Sequence, residues 1–242
     1  MESKIIRAEP LYLQAYNQLK KDIIEGNLKS GQRLTDQQLA EWLGISRTPV
    51  REAARILCRE GLLVNDNGIV YVYTPTLEDI AQVYVLRASL ESTAASIVAV
   101  KVNKNKITNK LEDIIRNSIT ASVNNDHVAL QKLNREFHKH IIYFSEMHIL
   151  EEFYEPLDTK MAIFRTRTLK ETLSRRISIE EHENLLHFIT KGDVLSCKRV
   201  AEKHILSAGK RAIEVYVEQE GLTISNDLLK TLHYIDFCLE SQ

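Results

Sequence analysis

The chain is poor in the residues that interrupt helices. It has four prolines and eight glycines in 242 residues, and they are unevenly placed. Three of the prolines and five of the glycines fall at or before Pro75. Residues 76–242 are therefore free to be helix almost throughout. Cysteine is scarce as well: Cys58, Cys197 and Cys238 are far apart and odd in number. They make no CxxC pair and no disulfide framework, which points to a reducing, cytoplasmic setting. No run of about 18 consecutive apolar residues occurs, so no membrane partner is expected. The opening MESKIIRAEP lacks the apolar centre of a secretory signal. A formal charge of −1 neither requires nor excludes a nucleic-acid partner. What is present, 44% apolar and 27% charged residues, is the composition of an ordered globular chain rather than a disordered one.

The first 75 residues read as three helices and a hairpin. An amphipathic stretch from Leu11 to Glu25 stops at Gly26. Thr35 reads as the N-cap of a short helix, Asp36 to Leu43, closed by Gly44. Ser46 reads as the cap of a third helix, with Pro49 in its first turn, where its missing N–H costs nothing. Two short apolar runs, Leu62 to Asn65 and Ile69 to Tyr73, flank the tight-turn signal Asp66-Asn67-Gly68. Two short helices joined by a tight turn, then a hairpin, describe a winged helix-turn-helix, whose second helix enters the major groove of DNA. On that helix Arg47, Arg51, Arg55 and Arg59 repeat every fourth residue and form one stripe. Val50, Ala54 and Leu57 supply the opposite, core-facing side. Guanidinium forks suit guanine edges or phosphates. An ordinary solvated helix face would look similar from the stripe alone.

The wider string separates the two. LTDQQLAEWLGISRTPVREAARILCREGLL, Leu34 to Leu63, closely resembles the DNA-binding domain of the GntR family of bacterial transcription regulators. The resemblance implies that Arg47, Thr48, Pro49 and Arg51 meet DNA, and that the wing tip Asn67-Gly68 approaches the minor groove. Some relatives carry an Arg in the preceding helix as a further base contact; Gln37 stands there in this chain, which implies a different operator.

Residues 76–217 read as an antiparallel all-helical bundle, and 218–242 as an extension with one more helix near 227–239. The fold expected is thus mainly α: an N-terminal winged helix-turn-helix with a small β-hairpin wing, followed by a C-terminal bundle. Polar residues interrupt the bundle's apolar stripes at few places. Asn134 and His138 are four apart on the face of Leu130, Phe137 and Ile141, so their side chains converge. His182 lies among Ile179, Leu186 and Ile189, and His204 among Cys197, Ala201 and Ala208. Imidazoles are the commonest transition-metal donors, and bundle interiors are where such sites are built. Each histidine taken alone reads equally as a hydrogen-bonded core residue. Arg87, inside the stripe of Ile80, Tyr84, Ala94 and Val98, reads either as a pair with Glu91 one turn on or as a ligand contact.

NREFH at 134–138, His182, Gly192-Asp193 and His204 resemble the metal-site pattern of the FCD domain, the sensor of the FadR-type branch of the GntR family. The resemblance implies ligands Asn134, His138, His182 and His204, a bound zinc, nickel or manganese ion with zinc the first expectation, and a small organic acid completing the site. It also points to Arg87, and with less support Arg165, as effector contacts. The family usually has Asp or Asn at the first of these positions, and here Asn134 stands in place of Asp. With a divalent ion and three neutral imidazoles, that exchange raises the site's net charge from about +1 to about +2. The family implies a homodimer on a palindromic operator, acting as a repressor that the effector releases. Two alternatives stay open: a regulator answering to the metal alone, and a metalloenzyme. The second lacks any HExxH motif and leaves the arginine stripe without a purpose.

Overall fold

The computed structural model describes residues 9–101, 104–168, 172–221 and 223–240; of residues 162–168, 172–175, 219 and 220 it describes the backbone only. The chain divides into two compact units, Met1–Thr74 and Pro75–Gln242.

The first unit runs α1 (Leu11–Glu25), β1 (Arg33–Leu34), α2 (Asp36–Leu43), α3 (Arg47–Arg59), β2 (Leu63–Asp66) and β3 (Ile69–Val72). Thr35 begins α2 with a capping box: its hydroxyl accepts from Gln38 N, and the Gln38 side chain accepts from Thr35 N. Gly44 ends that helix in the left-handed region, φ 66°. Ser46 occupies the cap position of α3, but its side chain makes no capping hydrogen bond. β2 and β3 pair antiparallel with Asp66 opposite Ile69, so the loop is the two residues Asn67 and Gly68. Both have positive φ, 51° and 85°, which is the type I′ hairpin that an Asn-Gly pair favours. The strand β1 was not expected. Its two residues are too few to show a period, and Arg33 and Leu34 become strand only by pairing with Tyr71 and Val70. α1 packs on α3, with Leu19 and Ile23 of the first and Val50, Ala53 and Leu57 of the second all buried. Glu60 ties the two helices further, accepting from Tyr16 Oη at 2.5 Å and Lys20 Nζ at 2.8 Å.

The second unit is a bundle of α4 (Leu77–Val100), α5 (Asn105–Val123), α6 (His127–Ser145), α7 (His148–Thr168), α8 (Thr172–Lys191), α9 (Val194–Glu220) and α10 (Asn226–Glu240). Thr76 opens α4 with a second capping box, through Asp79. Asp126 and Asp193 cap α6 and α9, accepting from Ala129 N and Ser196 N. α4 is the bundle's axis, packed by α6, α7, α8, α9 and α10. By length and apolarity it could cross a membrane, with mean hydropathy 1.3 over its best 18 residues. Its contacts on several sides and its buried Arg87 and Glu91 mark it as the core helix of a bundle. α4 and α9 approach so closely at Gly209 that a Cβ there would sit 2.7 Å from Tyr84 Cβ and Cγ. Glycine is what permits that crossing.

α9 continues three residues past 217, through Glu220. The last helix packs on the bundle. Leu228 and Ile235 of α10 are fully buried in the cluster formed by Ile80, Tyr84 and Ile213. The stripe Leu228, Leu232, Ile235, Leu239 needs cover, and the α4–α9 pair provides it.

Candidate nucleic-acid interface and candidate metal centre

In the first unit the buried side of α3 is Val50, Ala53, Ala54 and Leu57, which leaves all four arginines exposed. Thr48, Asn67 and Gly68 are exposed as well, and Pro49 is half-buried. Two arginines are held by α2. Arg47 Nη2 donates to Gln37 Oε1 at 3.2 Å, while Gln37 Nε2 donates to Glu41. Arg51 Nε donates to Asp36 Oδ2 at 2.5 Å. The structure therefore brings Gln37, Arg47 and Arg51 together where α2 meets the start of α3. Asp36 is a member of this group that sequence reasoning missed. Its signal was its place in the first turn of α2, where a carboxylate reads simply as complementing the helix dipole.

In the second unit three histidines from three helices meet. A ring nitrogen from each of His138, His182 and His204 lies within 4.8 Å of the others, and all three residues are buried. His182 Nε2 is 3.2 Å from His204 Nε2. The His182 ring stacks on Phe137 with centroids 3.9 Å apart, and the rings of His138 and His204 stack at 5.2 Å. The outer nitrogens of two rings are pinned. His138 Nδ1 lies 2.6 Å from Glu91 Oε2, and His204 Nδ1 lies 2.6 Å from Glu181 Oε2. Each carboxylate holds an arginine in turn. Glu91 Oε1 accepts from Arg87 Nε at 2.7 Å, and Glu181 Oε2 accepts from Arg211 Nη2 at 3.1 Å. A carboxylate on Nδ1 fixes the tautomer and leaves the Nε2 lone pair free for a metal.

Burial sets the charge state of His138 and His182. It pushes His138 down to about 4 against the opposing pull of Glu91. It pushes His182 well below the usual imidazole range, helped by the neighbouring His204 and His138. Burial by itself would raise Glu181, but His204 and Arg211 outweigh it and hold the carboxyl below its usual value. His138 and His182 are therefore neutral nitrogen donors, and Glu181 is an ionised carboxylate behind His204.

The remaining predicted residues fall as follows. Asn134 is half-buried on α6, one turn before His138, and its Oδ1 accepts from Ser178 Oγ of α8 at 3.4 Å. Arg87 is buried and committed to Glu91, with its guanidinium 5.6 Å from the Tyr84 ring centroid and 6.0 Å from that of Tyr154. Its Nη2 lies 2.5 Å from Glu91 Oε1 without hydrogen-bonding alignment, and it is buried with no other acceptor among the described residues. Arg165 lies in the part of α7 where only the backbone is described. Sequence reasoning saw Glu91 only as a partner for Arg87, and did not connect Glu181 with His204. Their second attachments depend on how α4 meets α6 and how α8 meets α9, which no spacing within one helix encodes.

Three neutral imidazoles suit a transition ion over magnesium or calcium, which prefer oxygen. The donor set fits such an ion, with His138, His182 and His204 to hold it. An ion bound there would offer an open coordination position to an oxygen ligand.

A winged helix-turn-helix followed in the chain by a helical bundle with an inward polar centre defines a class: a DNA-binding protein with a second, all-helical unit. Comparisons with known proteins identify the class more closely. The family model described as bacterial regulatory proteins, gntR family, matches residues 11–69, and that of the FCD domain matches residues 82–207. The HTH-type transcriptional regulator YdhC of Bacillus subtilis is 28% identical over 205 residues, 84% of this chain and 90% of the relative. The regulator McbR of Escherichia coli is 31% identical over 152 residues, 62% of this chain and 68% of its own length. The solved structure of E. coli McbR/YncC aligns with TM-score 0.73 and 26% identity, covering 86% of this chain and all of that one. A GntR regulator from Rhodococcus sp. RHA1 shares the fold, with TM-score 0.72 at 17% identity over 85% of this chain and 98% of that one. The chain belongs to the GntR family of DNA-binding transcription regulators and carries an FCD domain. Its relatives are regulators rather than enzymes.

Proposed function

We propose that this regulator is a metal-dependent sensor of a small carboxylate, and that the carboxylate lowers its affinity for DNA. The observation that carries the reading is the convergence of His138, His182 and His204 with two Nδ1 atoms pinned by carboxylates. Core histidines have no need of two Glu–Arg pairs behind them, one of them fully buried. Asn134 stands one turn from His138 as a fourth, uncharged donor. Zinc is the ion the donor set suits best, with nickel or manganese as alternatives. A divalent ion among four neutral donors keeps its full charge of about +2, which favours an anionic ligand. Arg87 adds a second anchor through its unsatisfied Nη2, and Arg165 is proposed as a third.

The protein acts in the cytoplasm as a homodimer whose two-fold symmetry matches a palindromic operator. Arg47, Thr48, Pro49, Arg51 and Gln37 face the major groove, with Asn67 and Gly68 at the adjacent minor groove. Repression is the sign proposed, with release on effector binding. Arg87 and Glu91 lie on α4, the helix that follows the first unit directly in the chain, so ligand contacts act on the element leading out of the DNA reader. The effector shifts the equilibrium only by its differential affinity for the two states.

The test starts from an operator selected out of random duplex DNA. Operator affinity is then measured for metal-free protein, with zinc, and with zinc plus a panel of mono- to tricarboxylates. A fall of tenfold or more that needs both zinc and one carboxylate supports the reading. A fall with zinc alone favours a purely metal-responsive regulator, and no response in any arm removes the sensor. Asn134→Asp is expected to tighten zinc binding and weaken the carboxylate, because the added charge reduces the excess at the ion. Calorimetry showing a tighter carboxylate contradicts the charge argument.

A further inference from the structure

The four arginines of α3 are equivalent in sequence and unequal in structure. Arg47 and Arg51 are held by Gln37 and Asp36. Arg55 and Arg59 are exposed, and among the described residues neither has a carboxylate within 4 Å. Glu60, the nearest acid in sequence to Arg59, is turned toward α1, where it takes Tyr16 and Lys20. The second half of the stripe therefore keeps its full positive charge.

Arg55 and Arg59 also have a place to act. With Arg51 they form one wall of an open cleft of about 450 Å³, whose other wall is Asn65, Gly68 and Val70 of the wing; Asp36 also lines it, paired with Arg51. The wing contributes shape rather than a donor there, since Gly68 N–H is already given to Asn65 Oδ1 at 2.9 Å. From these features we infer that the cleft between the second half of α3 and the wing is a clamp for the phosphates of one DNA strand. Arg55 and Arg59 are its cations, and base reading is confined to Arg47 and Arg51.

Helix geometry gives the same division. Recognition helices of this type meet base edges with their N-terminal residues. At 1.5 Å per residue, Arg59 lies about 18 Å along the axis from Arg47. The major groove is only about 8.5 Å deep, so a helix entering by its first turn carries its last turn out to the backbone. A base edge must be met at a fixed angle, and Arg47 and Arg51 are braced for that. A phosphate accepts from many directions, and an unbraced guanidinium serves it well.

The inference rests on the DNA-binding reading of the first unit, and the experiment separates the two. Full-length protein is titrated by fluorescence anisotropy against its selected operator and against a scrambled duplex, between 50 and 200 mM salt. For the double variant Arg55→Gln, Arg59→Gln, the slope of log K against log salt is expected to become shallower by about 1.8 on both duplexes. The operator-to-scrambled ratio is expected to stay within twofold. Arg55→Lys with Arg59→Lys retains the charge and is expected to keep the original slope. Arg47→Gln is expected to lower the ratio tenfold or more. An unchanged slope in the Gln double variant overturns the clamp. A tenfold loss of the ratio in that variant also overturns it, by making these residues base readers. Unaltered protein that selects no duplex at all removes the DNA reading and the clamp with it.

Discussion

The arginines proposed to meet DNA stand in water, whereas the three histidines and Arg87 proposed to meet a metal and its ligand are buried inside a bundle. Arg51 is 59% exposed at its side chain even while paired with Asp36; Arg87 and Glu91 are 3% and 4% exposed. The first arrangement suits a polymer that supplies its own charge and strips water on arrival. Its residues come from one contiguous stretch, held by side chains that cost little to release. The second suits a small ligand that needs a preformed site. Its residues come from α4, α6, α8 and α9, and each is fixed by another. Substitutions of the DNA-facing side chains in the first unit are therefore expected to change binding and spare stability, whereas those at the second unit's centre change both.

The strongest break in that contrast is Glu91→Ala. It leaves Arg87 buried without a counter-charge, which is expected to destabilise the second unit by about 3–5 kcal/mol. Trp42 on α2 is the only tryptophan, so its fluorescence follows the first unit alone. Urea unfolding is expected to show the circular-dichroism transition moving to lower urea while the Trp42 transition stays in place.

Glu181→Gln comes next. It keeps the shape and loses the charge that pins His204, so zinc affinity is expected to fall about 10–100-fold. Competition with a chelator of known affinity measures this, and an unchanged affinity makes the Glu181–His204 contact purely structural.

In the first unit, Arg47→Ala is expected to lose about 1–3 kcal/mol of operator binding. Its effect on folding is expected to stay within about 0.5 kcal/mol, as for an exposed position. A shifted Trp42 transition would blur the contrast between the units.

The smallest effect sharpens the contrast within one motif. Thr35→Ala removes a working cap and is expected to cost about 1 kcal/mol. Ser46→Ala removes a hydroxyl that caps nothing and is expected to cost less than about 0.5 kcal/mol. Both are read from the Trp42 transition.

The same contrast governs what could be read from sequence. Helices α1 to α6 and the wing are written locally, in caps such as Thr35 and Asp126, in Gly44, and in the Asn67-Gly68 turn. Convergence of the three histidines could be suspected from their places in apolar stripes, but not established, because it depends on how α6, α8 and α9 pack. Glu91 and Glu181 lay further out of reach. A carboxylate one turn from an arginine, or beside a histidine, is an ordinary surface pattern until the neighbouring helix is in place. β1 escaped because two residues carry no period. Ser46 misled because cap preference concerns residue type, while the capping bond needs the side chain to turn back on its own helix.

The central claim is that His138, His182 and His204 form a metal centre in the second unit. Calorimetric titration of metal-free, full-length protein with zinc, beside His182→Ala, tests it most directly. One ion per chain in the unaltered protein, with binding abolished in the variant and its helical circular-dichroism spectrum unchanged, is the predicted result. No uptake of zinc, or uptake equal in both proteins, would contradict it and return the three histidines to the core.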